Sequence, residues 1–89
     1  MTPDQFATAL RTYCQGTGAS VTSWGRTAKH NRQVGGQPGS LHLVWLAADV
    51  VYDAPVDLAR RRVVATRLGL FVWPESDHDH IRTAERATA

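Results

Sequence analysis

Between Leu41 and Tyr52 the chain runs Leu-His-Leu-Val-Trp-Leu-Ala-Ala-Asp-Val-Val-Tyr, with only His42 and Asp49 breaking an apolar stretch. Val50 and Val51 favour a buried strand in its second half. Burying an imidazole or a carboxylate without a partner costs several kcal/mol. Whatever fold forms must therefore satisfy His42 and Asp49, by pairing them with each other, with loop backbone, or with a metal ion.

The rest of the chain limits the room for doing so. Its 89 residues suffice for a single domain spanning residues 1–89, since domains usually hold about 100 to 150 residues. A core this small leaves stability marginal, so a bound metal would contribute usefully to it. Cys14 is the only cysteine; an intrachain disulfide is excluded and a packing role is expected. The N-terminus lacks a basic cluster followed by an apolar run, and no stretch approaches the roughly 20 apolar residues that span a bilayer. The chain reads as soluble, without a signal peptide and without a membrane partner. Ten Lys and Arg against eight Asp and Glu give +2, too mild a basicity to demand nucleic acid. The one basic run, Arg60 to Arg62, is expected on a solvated helix face.

Turn and cap residues order the elements. Thr2, Pro3 and Gln5 form a helix start, with Phe6, Leu10, Tyr13 and Cys14 at helical spacing and Gly16 and Gly18 ending the element. Ala19 to Trp24 suits a short strand closed by Gly25. Thr27 caps a helical turn through Asn31, and residues 34–40 form a Gly-rich loop. Asp53 and Pro55 open a second long helix with an apolar stripe of Val56, Ala59, Val63, Val64 and Leu68, ended by Gly69. Leu70 to Trp73 and His78 to Arg82 form a hairpin joined by residues 74–77. Residues 83–89 are expected to fray. The predicted class is α+β, with about three helical segments on a small, mainly antiparallel sheet.

The hairpin brings a second cluster: His78 and His80, two apart and so on one strand face, amid Glu75, Asp77 and Asp79. Two imidazoles and a carboxylate with a fourth position open are a usual ligand set for a catalytic zinc. The same count fits a non-haem iron triad. There, however, a histidine and carboxylate usually stand one residue apart, whereas His42 and Asp49 are seven apart. On residue type alone the third ligand is either His78 or His80.

These residues resemble the zinc D-alanyl-D-alanine carboxypeptidases and L-alanyl-D-glutamate endopeptidases, with the Hedgehog/DD-peptidase fold. The signature Ser-x-His-x-x-Gly-x-Ala-x-Asp is matched by Ser40-Leu-His42-Leu-Val-Trp45-Leu-Ala47-Ala-Asp49 at every position except the glycine, where Trp45 stands. Upstream, Ser23-Trp-Gly-Arg26, Asn31 and Val34-Gly35-Gly36 resemble the family's Ser-x-x-Arg, Asn and Gly-Gly elements. Downstream, Asp77-His-Asp-His80-Ile81 resembles its ending, an acidic residue three before the last histidine. The resemblance covers about residues 20 to 82.

The resemblance implies one zinc ion held by His42, Asp49 and His80, with Asp77 as general base. Glu75 and His78 repeat the spacing of Asp77 and His80 and form the alternative register. Arg26 would face the substrate carbonyl or carboxylate, and Ser40 would donate a hydrogen bond to the substrate's carboxylate. The implied activity is hydrolysis of D-Ala-D-Ala or L-Ala-D-Glu bonds in peptidoglycan or D-alanyl peptides, by a cytoplasmic or phage-associated enzyme. A metal-retaining binding or structural module of the same fold, such as a phage particle component, is the alternative, and Trp45 favours it.

Overall fold

The computed structural model describes residues 1–25, 27–36 and 41–84. Helix α1 (Pro3–Thr17) begins with a reciprocal capping box: Thr2 Oγ1 accepts from the Gln5 amide, and Gln5 Oε1 accepts from the Thr2 amide. It ends where Gly18 turns left-handed, at φ 73°, and bonds back to the Cys14 carbonyl. Strand β1 (Ala19–Trp24) follows, then α2 (Ala28–Gln33), capped by Thr27. A 3-10 turn (Leu41–Val44) leads into β2 (Ala47–Tyr52), and α3 (Leu58–Arg67), β3 (Leu70–Pro74) and β4 (Asp79–Thr83) complete the order. The fold is α+β, as the punctuation predicts.

The sheet order is β1-β2-β4-β3, with every neighbouring pair antiparallel. Helix α1 packs against β1 and α3, and α3 packs against β3, so the long helices share one face. There Phe6, Leu10 and Tyr13 of α1 meet Val50, Val72 and Ile81 of the sheet, all buried. Strand alternation then sends Asp49 and His80 to the opposite face, where the 3-10 turn lies beside β2. Among the described residues no helix is long and apolar enough to cross a membrane.

Four expectations change. Helix α3 starts at Leu58 rather than near Pro55, and Ala59 and Val63 face solvent while Leu58, Val64, Ala65 and Leu68 face the core. Arg60 and Arg62 are exposed as expected, but Arg61 turns inward onto Asp79. Asp79, grouped by sequence with an acidic surface cluster, is 3% exposed, because β4 alternation puts it on the helix side. Finally, Thr83 pairs with Leu70 in the sheet, and the rest of the expected frayed tail, from residue 85, lies outside the described residues.

The inward polar groups complete each other. Tyr52 donates to Asp79 Oδ2 at 2.6 Å, leaving Tyr13 to donate to Tyr52 Oη at 2.6 Å. Arg61 Nε donates to the Val56 carbonyl at 2.9 Å, and its guanidinium lies 5.4 Å from the Tyr52 ring centroid. Burial, with the hydrogen bond to Asp79, pushes the Tyr52 phenol far above its ordinary range. Removing one partner of a buried ion pair strands the other, at about 3 kcal/mol or more. Arg61→Leu should therefore lower the thermal midpoint by ~10 °C or more, while Arg62→Leu stays within about 0.5 kcal/mol of the parent. Equal midpoints for the two variants in a melting experiment would remove Arg61 from the core account.

Candidate metal centre

Each candidate ligand reaches the site from a different element. Asp49 lies mid-strand in β2 and stands directly opposite His80 of β4 in the antiparallel register. Paired residues in a sheet share a face with Cβ atoms about 5 Å apart, so the register alone brings a carboxylate and an imidazole together across 31 residues of chain. On its other side Asp49 faces Ser23 of β1, next to an irregularity between Val21 and Ser23. Thr22, the residue left over by that bulge, donates its hydroxyl to the Asp49 carbonyl at 3.3 Å. His42 arrives from the 3-10 turn and is 2% exposed.

Three donor atoms meet there. His42 Nε2 and His80 Nδ1 are 3.2 Å apart, His80 Nδ1 and Asp49 Oδ1 3.3 Å, and His42 Nε2 and Asp49 Oδ1 3.5 Å. These edges lie at or just beyond the 3.2 Å upper end of ordinary N–H hydrogen bonds. With bonds of about 2.0–2.1 Å, tetrahedral zinc ligands stand about 3.3–3.4 Å from one another. The triangle thus has the edge lengths of one face of a zinc tetrahedron, and its donor set is one that zinc accepts. The residues can hold a metal ion.

The electrostatics suit a cation. Burial opposes ionisation of Asp49, but hydrogen bonds from His42 and His80 and the nearby His78 outweigh it, holding the carboxyl well below the usual carboxylate range. Asp49 is therefore an anion at neutral pH.

Asp77 is not among the converging groups. It is 85% exposed, and its Oδ1 lies 2.7 Å from His78 Nδ1. That contact lowers the Asp77 carboxyl and, as the largest cause, raises the His78 imidazole. His78 in turn directs Nε2 toward Asp49 Oδ1, at 3.7 Å. His78 thus stands between Asp77 and the cluster, a link that the alternating strand pattern hinted at by putting His78 and His80 on one face. Arg26 and Ser40 lie outside the described residues.

Two aromatic features were not expected. Trp73 pairs with His80 across the β3–β4 register and is 57% exposed, stacked beside Phe71. Trp45 adopts φ 63°, a left-handed conformation that costs a side-chain-bearing residue roughly 1–2 kcal/mol. A backbone of this shape explains why the resembling signature has glycine at that position.

A family model described as Peptidase M15 matches residues 4–81. No curated protein and no solved structure matches the chain.

Titration calorimetry with zinc should give one site per chain, lost in His42→Ala, Asp49→Ala and His80→Ala and kept in His78→Ala. Loss in His78→Ala with retention in His80→Ala would exchange the two histidines. Zinc at 100 times its dissociation constant should also add about 2.7 kcal/mol of stability, visible as a raised melting midpoint that a chelator reverses.

Proposed function

The chain belongs to the peptidase M15 family, and from that premise we propose that it is a zinc metallopeptidase acting on peptidoglycan stem peptides. The bond cut is D-Ala-D-Ala or L-Ala-D-Glu. The observation that carries the reading is the triangle of His42, Asp49 and His80, with edges of 3.2 to 3.5 Å. Zinc held by His42, Asp49 and His80 would supply a Lewis acid for the scissile carbonyl and would acidify a water molecule.

The protein's own groups handle the proton and the substrate. Asp77 acts as the base together with His78: a proton accepted at His78 Nε2 yields an imidazolium that the Asp77 carboxylate stabilises at Nδ1. The 2.7 Å contact between Asp77 Oδ1 and His78 Nδ1 supports this division of labour. Arg26 neutralises charge on the substrate carbonyl or carboxylate, and Ser40 donates a hydrogen bond to the substrate carboxylate. An open groove of about 580 Å³ is lined by Val51, Tyr52, Pro55, Glu75, Asp77 and His78. It touches Asp77 and His78, whereas Arg61 and Asp79 line its other end and His42, Asp49 and His80 do not line it.

Trp45 favours a second reading, a binding or structural module that keeps the metal without turnover. The two separate on purified peptidoglycan and D-alanyl peptides, with released termini followed by mass spectrometry. The peptidase reading expects chelator-sensitive cleavage that Asp77→Asn reduces about 100-fold or more while zinc stays bound. No zinc-dependent cleavage of any of these substrates would leave the module reading.

A further inference from the structure

We infer that Trp24, Gly25 and Trp45 form a clamp that positions His42, and that Trp24 is a positioning residue of the metal centre. The inference rests on the reading of His42 as a ligand. Asp49 and His80 are held by paired strands, but His42 rides on a single 3-10 turn whose orientation has to be fixed from outside. The end of that turn is held at Trp45. The Trp45 amide donates to the His42 carbonyl at 3.3 Å, and the Leu46 amide donates to the Leu41 carbonyl at 3.0 Å. The Trp45 carbonyl accepts the indole N–H of Trp24, on β1, at 3.1 Å.

The side chain of Trp45 makes the same connection by packing. Its ring meets Trp24 edge to face, with centroids 5.2 Å apart and planes at 87°. It also lies over Gly25, so closely that a Cβ there would come within 2.2 Å of Trp45 Cε3. Only a glycine leaves this socket, and the seated ring holds Trp45 in its left-handed conformation. Where the signature has a flexible glycine, this chain has a ring bolted to β1. The polar and packing contacts converge on the residue whose amide holds the His42 carbonyl, and so they set the edges that His42 makes with Asp49 and His80.

The test uses the whole chain, with zinc affinity measured by competition against a chromophoric chelator and ligand geometry by the visible absorption of the cobalt-substituted protein. Trp24→Phe keeps a ring and removes the N–H. It should weaken zinc binding by ~tenfold or more, the size seen when a group supporting a ligand is lost. It should also alter the cobalt bands, while the metal-free melting midpoint stays near that of the parent. Gly25→Ala should weaken binding more in the parent than in a Trp45→Gly background, where the ring is gone and only the strain of φ 74° at residue 25 remains. Parent-like zinc affinity and cobalt spectrum in both Trp24→Phe and Gly25→Ala, or an equal Gly25→Ala effect in both backgrounds, would overturn the clamp and leave the metal site standing. A parent protein that binds no zinc would overturn the metal site and the clamp together.

Discussion

The register between β2 and β4 is the constraint on which the rest depends. Asp49 faces His80 on one side of the sheet because Ala48 faces Ile81 and Val50 faces Asp79 on the other. A slip of one residue would turn each of these side chains to the wrong face. Burial of Val50 and Ile81 against α1 and α3 thus fixes the geometry of the candidate metal site, although neither side chain touches it. Core and site are two consequences of one pairing.

The same strand carries two polar systems back to back. His80 joins the cluster on the open face, while Asp79, its neighbour, enters the network of Arg61, Tyr52 and Tyr13 on the helix side. A buried carboxylate next to a site could act as a stray competitor for a cation. Here its charge is met by a guanidinium and a phenol, so each carboxylate keeps separate company.

Much of this was legible in the chain. Thr2, Gln5 and Gly18 marked the ends of α1, and the apolar run with its two polar breaks located His42 and Asp49. Signals that depend on distant partners were not legible. Helical periodicity gave Val63 the inward place that belongs to Ala65 and Arg61, because the spacing cannot reveal that Asp79 waits on β4. The acidic residues of the β3–β4 hairpin looked alike, yet Asp77 lies on the surface against His78 and Asp79 lies in the core. Trp45 read as a departure from a signature. Its cost and its compensation by Gly25 became visible only with a backbone angle and a neighbouring strand in place.

The central claim is that His42, Asp49 and His80 hold one zinc ion with a position left open. Zinc K-edge X-ray absorption of the loaded protein addresses it most directly. The account predicts a first shell of nitrogen and oxygen at about 2.0–2.1 Å, with outer scattering from two imidazole rings. A sulfur shell at about 2.3 Å, which would bring in Cys14, or scattering from fewer than two imidazoles would contradict it.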